Sequence, residues 1–459
     1  MTHEYNSSRS DLLKRIGLSP SKRLLVFLIS AVLVTIPLGY AYNSVAIILF
    51  VLYSLLSAKK KDFSLRLWIL LPLLLFVLIV ASLIWTIDFK STLRAISKEA
   101  AFFFIPIAFC FNRHLIQKGT QTILKNFSIL MLLFGVYFLG RAAVRYQEFD
   151  NANVFLYNEL ATPVVTAVYL SSLFSVAFFY FLSVNKKKFL DYAAIVFIAL
   201  LLCLLVVKVV IVIDVLLTAT YFVFFSGLSK KIKIILIAIF AVAAGSFVYF
   251  AKTNGNLPAE YTSNIPEMEA LAKEGIPVHN VTVAEAWNKP VFQENDYFNG
   301  TAFRVYQLRI FKELIQEDKI FFTGYGLNAS LKKIEGKAIE HNVFEGGILN
   351  HRYNRQNFHN QYVEVFADLG IIGFLLLITI LFINLKNALE SKDFNHIAFA
   401  ILMIALLLTE SFLWRQRGVV LFTVLYCLFN IRLPRGSEKE KHEKNTHNRG
   451  GRISGVASL

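Results

Sequence analysis

Apolar residues gather along this chain into runs separated by short charged stretches, and the runs set the expected architecture. Twelve can be read, at residues 24–40, 43–57, 67–86, 95–111, 126–143, 163–183, 189–206, 210–227, 233–251, 361–385, 394–413 and 418–432. A hydrocarbon core about 30 Å thick asks for roughly 20 apolar helical residues. The pattern predicts an all-α polytopic membrane protein with about twelve transmembrane helices. Runs 43–57 and 418–432 are short for a span, which favours tilt or re-entrance there. The first run follows a polar, basic lead without a small-residue cleavage pattern after it, so it reads as an uncleaved first span.

One connection breaks the rhythm. Residues 252–360 are polar, and so long a loop is expected to carry function rather than merely connect. Within it Ile265–Glu274 is a short helix candidate. Ala302–Gln316 places Phe303, Tyr306, Ile310, Phe311 and Leu314 at helical spacing. Thr323-Gly324-Tyr325-Gly326 reads as a turn, and Leu331–Glu335 as a helical turn or two. The expected organisation is an N-terminal segment 1–23, spans one to nine over 24–251, and a mostly helical loop domain over 252–360 between spans nine and ten. Spans ten to twelve follow over 361–432, then a basic tail over 433–459 that reads as disordered.

Composition agrees. The chain has 459 residues, 56% of them hydrophobic, against about 45–50% in soluble domains. The net charge of +16 raises nucleic acid as a partner, and its distribution removes it. Residues 252–360 hold 12 Lys/Arg and 13 Asp/Glu, so the loop is nearly neutral. The basic excess lies in short connections: Lys59–Lys61, Arg113 to Lys125, Lys186–Lys188, Lys230–Lys233, Lys386 and Lys392, and both chain ends. With twelve spans these all share one side, which the positive-inside rule makes cytoplasmic, together with both termini. Lys90, Arg94 and Lys98 are the exception and face outward; with Glu99 they read as an interfacial amphipathic turn. Cys110, Cys203 and Cys427 have no metal or disulfide spacing and read as packing residues.

Four features on the outer side can carry chemistry. His359-Asn360, with Tyr362, opens span ten. Arg304 lies on the amphipathic helix of the loop. Lys208 and Asp214 flank the break between spans seven and eight. Glu410, Arg415 and Arg417 end span eleven. Each has an ordinary reading as well: an interfacial His and a capping Asn, a solvated Arg, a snorkelling Lys208 paired with Asp214. Gly370 and Gly373 read as sites of close helix packing. Taken together, Arg and Lys suit phosphate oxygens, and a His near neutral pKa suits a hydroxyl proton. That set fits a lipid-linked phosphate or pyrophosphate leaving group and a hydroxyl nucleophile. No Asp-x-Asp pair or His/Cys spacing suggests a metal, and no Gly-x-Ser-x-Gly elbow appears.

The pattern His359-Asn360-x-Tyr362, followed by Asp368-Leu369-Gly370-Ile371-Ile372-Gly373, opens a late span after a long outer loop. It resembles the O-antigen ligase / O-antigen polymerase superfamily, bacterial inner-membrane glycosyltransferases of the GT-C type. The resemblance extends to Arg304 with Gly324-x-Gly326 downstream, and to Thr409-Glu410-Ser411 with Arg415-x-Arg417-Gly418. It implies a GT-C-like fold, an undecaprenyl-pyrophosphate-linked glycan as donor and a lipid A–core, a second lipid-linked glycan or a protein as acceptor. It implies reaction at the periplasmic face without metal or cofactor. It casts His359 as general base or acceptor-orienting group and Arg304 as a pyrophosphate ligand, with Asn360, Tyr362, Glu410 and Arg415 around the substrate. Where the family places Ser-Arg at the start of span eight, this chain has Val206-Val207-Lys208, so Lys208 must substitute; the tryptophan common after the helix Arg is also absent. A polytopic transporter or glycolipid flippase is the rival from another class, with Lys208 and Asp214 as its only charged pair inside the spans.

Overall fold

The computed structural model describes residues 21–57, 67–231, 233–234, 279–293, 295–343 and 353–431. The expected N-terminal segment but for its last residues, nearly all of run 233–251, the helix at Ile265–Glu274 and the basic tail lie outside the described residues. The described chain is nearly all helical. Helices α1 (Lys22–Val34), α2 (Tyr40–Leu56), α3 (Leu67–Ala81), α4 (Phe89–Glu99), α5 (Ala101–Phe111), α6 (Arg113–Phe149), α7 (Ala167–Ser183), α8 (Phe189–Leu205) and α9 (Lys208–Thr220) come first. The segment after them carries α10 (Val283–Asn288), α11 (Gly300–Glu317) and α12 (Ser330–Glu340). It also carries two three-residue strands, β1 (His279–Val281) and β2 (Asp296–Phe298), which pair in parallel. Helices α13 (Gln361–Ser391), α14 (Phe394–Thr409) and α15 (Gln416–Asn430) end it.

Each described apolar run is helical, and three stretches are long and apolar enough to cross a membrane: Arg113–Phe149, Lys208–Phe225 and Gln361–Ser391. The other apolar helices are shorter. A 17-residue helix such as α7 reaches about 25 Å, slightly less than the hydrocarbon core. α15 is 15 residues long, as short as its run, and every residue from Arg417 to Asn430 is buried.

Three boundaries differ from the hydrophobic reading. Run 95–111 spans two helices: α4 is amphipathic, with Thr92, Ala95 and Glu99 turned inward, and only α5 is apolar throughout. Run 126–143 is the middle of the 37-residue α6, because nothing between Arg113 and Phe149 breaks a helix and Asp150 stops it in a left-handed conformation. Residues 163–166 precede α7, where a bridge pairs Thr162 with Val165.

Hydrogen bonds between connections sort them to two ends. At one end Arg417 donates to the carbonyls of Ile36, Leu38 and Val164. Tyr169 donates to Phe412, Trp414 to Asn328 and Thr92 to Leu327. This end collects the connections after α1, α3, α6 and α14 with the α10–α12 layer. At the other end Asn112 donates to Ser54, Trp68 and Asn387 reach Asn430, and Tyr221 packs on Phe394.

The α10–α12 layer has its own core. Phe292, Phe298, Phe303, Tyr306, Ile310 and Leu314 pack there with Phe358 and Ala367. α11 starts where Asn299 accepts hydrogen bonds from the amides of Thr301 and Ala302, and it buries the stripe read from the sequence except Phe311, which is half-buried. α12 is longer than the expected turn or two. Its start is held from another element: the Asp368 carboxylate accepts from the Asn328 amide at 2.7 Å and from Ser330 Oγ at 2.6 Å.

The layer docks where α13 breaks. Gly370 has φ 66 and ψ −166 inside α13, a combination open in practice only to glycine. The carbonyls of Ala367 and Asp368, released from the helix, accept from Tyr325 and Gly326 instead, and the Ile371 amide donates to Phe321. A Cβ on Gly370 would collide with the Phe322 carbonyl, and one on Gly324 (φ 66) with Asp368. Gly370 was read as a helix-packing residue; its role is to break the helix and admit another backbone.

Candidate active site

Three of the residues singled out by the sequence meet at the head of α13. His359 precedes the helix with φ 48, an uncommon value for a residue with a side chain. Its Nδ1 lies 3.3 Å from Glu410 Oε2, and its Nε2 lies 3.0 Å from Gln356 Oε1. Phe303 packs edge-on against its ring. Glu410 stands in the connection past the last turn of α14. Its other oxygen accepts from Arg304 Nη2 at 2.8 Å. Arg304 comes from α11, the α10–α12 layer, while Glu410 comes from the bundle. The carboxylate therefore joins the two bodies.

The electrostatics follow from this arrangement. Burial alone would push the Glu410 carboxyl up; the hydrogen bond and charge of His359 and the Arg304 guanidinium outweigh it and hold the group below its ordinary value. Glu410 is therefore a carboxylate at neutral pH, and as a pure acceptor it favours the tautomer with the proton on Nδ1. When the imidazole is neutral, Nε2 then carries the lone pair. For that tautomer the Gln356 amide has to turn end for end, bringing its N–H to Nε2 in place of the Oε1 that lies there.

Arg304 is more engaged than the sequence suggested. Nε donates to Thr409 O at 2.9 Å and Nη1 to Gly300 O at 3.0 Å, besides the bond to Glu410. Three of five N–H donors are used, which leaves one on each terminal nitrogen for an anion. The guanidinium is 36% exposed, so those donors are reachable.

The other predicted residues divide. Asn360 caps α13 through the amides of Tyr362 and Val363 and donates to Leu408 O at 3.0 Å. Tyr362 donates to Ile404 O at 3.0 Å. Both therefore pin α13 to α14 behind the imidazole. Arg415 is exposed, lies five positions after Glu410 in the chain and forms no ion pair among the described residues. Arg417 is buried over the Tyr40 ring, 4.2 Å from its centroid, and ties connections together. Lys208 opens α9 and is exposed. Asp214 takes its hydrogen bond from Ser175 at 2.5 Å.

Gln356 and Glu364 were not read from the sequence. Gln356 reaches Nε2 from a polar stretch without periodicity, so no pattern marks it. Among the described residues no group of three or more His, Cys, Asp or Glu is placed to hold a metal ion. An apolar groove of about 790 Å³ opens at the same end of the bundle, lined by Leu38, Tyr42, Leu133, Tyr137, Arg141 and Val164 among others, away from the imidazole. The chain matches no family model and no curated protein.

Proposed function

We propose that this protein is an O-antigen ligase-like membrane glycosyltransferase, which moves a glycan from undecaprenyl pyrophosphate to an acceptor hydroxyl at the periplasmic face of a bacterial inner membrane. Lipid A–core is the proposed acceptor. A polysaccharide polymerase and a protein O-oligosaccharyltransferase are siblings with the same donor chemistry. The observation that carries the reading is the chain Arg304–Glu410–His359 at the head of α13.

The geometry suggests the steps. The acceptor hydroxyl takes the place of Gln356 at His359 Nε2. The imidazole accepts the hydroxyl proton as the oxygen attacks the anomeric carbon, and Glu410 stabilises the resulting imidazolium. The bond from that carbon to the pyrophosphate breaks, and the leaving group departs with its electron pair. The spare N–H groups of Arg304 and the exposed Arg415 face the growing charge. Twelve spans, with the α10–α12 layer on the periplasmic side and both termini cytoplasmic, bring the lipid-linked donor to this end. The groove at that end suits an apolar isoprenoid chain.

The test is transfer by the purified protein from undecaprenyl-pyrophosphate glycan to lipid A–core, to a second lipid-linked glycan or to a pilin-like peptide. The expected product is glycosylated lipid A–core, lost in His359→Ala. Transfer to none of the three, with movement of the donor lipid across the bilayer, favours the transporter; buried Asp214 would then become the residue to study.

A further inference from the structure

His359 and Glu410 are 51 residues apart in the chain, so something must hold their two backbones together. The site has a third carboxylate that neither touches the imidazole nor faces solvent. Glu364 lies on the first turn of α13 and is 2% exposed. Its Oε2 accepts from the Phe358 amide at 3.0 Å and from Ser411 Oγ at 3.0 Å. Phe358 immediately precedes His359, and Ser411 immediately follows Glu410. One oxygen thus spans the two segments that carry the reacting pair.

Neighbouring bonds do part of this work. Gln361 accepts from the Leu413 amide, and Asn360 donates to Leu408. Both attach α13 to the 408–413 segment, and neither reaches the residue before His359. Glu364 alone among these holds both flanks. The need is plain from the backbone: His359 sits at φ 48, a conformation that persists only when its surroundings over-determine it.

We infer that Glu364 is the positioning residue of the site, setting the separation between His359 Nδ1 and Glu410 by gripping Phe358 and Ser411 with a single carboxylate oxygen. This rests on the proposed role of the pair in taking the acceptor's proton. Because Oε2 accepts both bonds, an amide oxygen can replace it. The other oxygen, Oε1, is buried with no hydrogen-bond partner, so it anchors neither flank. Glu364→Gln keeps the acceptor oxygen and removes the acid, while Glu364→Met keeps the volume and loses the acceptor.

Two measurements decide it. In the transfer assay, Glu364→Met should lower kcat about a hundredfold with KM within about twofold, since misplacement of about an ångström costs that much. Glu364→Gln should stay within about fivefold of the parent by the same argument, and Ser411→Ala should fall between. The second readout needs no turnover: the rate at which diethyl pyrocarbonate modifies His359, read by peptide mass spectrometry with His341 and His396 as internal standards. It should rise severalfold in Glu364→Met and Ser411→Ala and stay at the parent rate in Glu364→Gln. Rates at all three histidines rising in Glu364→Met would mean that variant unfolds, and Ser411→Ala, which keeps the carboxylate, then decides alone. A parent-like His359 rate in Ser411→Ala overturns the inference, as does a Gln variant as impaired as the Met variant. If the parent transfers no glycan, the glycosyltransferase reading fails and the modification rates still test the grip.

Discussion

At the residue scale the site turns on a division of labour among three side chains from different elements. Glu410 is the hinge of that division, since it bonds His359 with one oxygen and Arg304 with the other. Glu410→Gln keeps the shape and removes the charge that fixes the imidazole tautomer. Transfer by that variant should fall about a hundredfold or more, the scale of a mispositioned general base, with donor affinity nearly unchanged. Initial rates over a range of donor concentrations check this, and a loss confined to KM would move Glu410 from the base to donor binding. His359 and Glu410 were legible because titratable groups at the mouth of an apolar helix are expensive and so stand out, and Arg304 because it lies on the amphipathic helix of the long loop. Their mutual contacts were not legible, since they depend on how the α10–α12 layer docks on α13. Lys208 was singled out by its place in the chain, and it opens α9 as an exposed residue.

At the element scale, the break in α13 is what brings the layer and the bundle together. The glycines at 370 and 373 signalled close approach; their sequence cannot say that the approaching body is the backbone of residues 321–326. Gly370→Ala forces a side chain into a glycine-only conformation and against a carbonyl, a penalty of about 3 kcal/mol. The variant should unfold at lower temperature in detergent, by a shift large enough for a simple thermal melt, while Gly140→Ala in α6, where a Cβ meets nothing, should not. The layer itself carries a pH response. His341 lies against Tyr306 and Arg309, which reach its two nitrogens, with Glu313, Glu340 and Lys337 also facing it. Burial, helped by the positive charge of Arg309 and Lys337 and opposed by the glutamates, holds its pKa below the ordinary histidine value. A lowered pKa means the folded layer binds fewer protons than the unfolded chain. Stability is thus full above about pH 6.5 and declines as pH falls below it toward the folded pKa. Hydrogen exchange of α11 and α12 should accelerate between pH 7.5 and 5.5 beyond the intrinsic trend, and His341→Gln should flatten that dependence.

At the scale of the whole molecule, hydrophobic runs located nearly every helix because burial in a bundle and burial in lipid demand the same apolar length, which is also why they could not separate α4 from α5 or find the ends of α6. What the runs could not give is direction, and the charge pattern supplied it as an expectation: connections after odd-numbered spans on one side, after even-numbered spans on the other. The hydrogen bonds between connections sort in that same alternation. The sorting has a consequence for the chain between α9 and β1. The stretch that begins at Lys208 runs to Tyr221 and Phe225, which pack on Phe394 at one end, whereas the layer after His279 docks at the other. The proposed topology puts those two ends on opposite faces of the membrane, as the sequence expects of apolar run 233–251. Single cysteines in a variant lacking Cys110, Cys203 and Cys427 test this directly. Cysteine at Lys187, Lys231 or Lys392 should react with a membrane-impermeant maleimide only after the cells are opened, and cysteine at Asp150, Thr301 or Arg415 should react in spheroplasts. Equal labelling of positions 231 and 301 from outside would place the α9 end and the α10–α12 layer on one face, break the alternation, and remove the periplasmic site on which the glycosyltransferase reading depends.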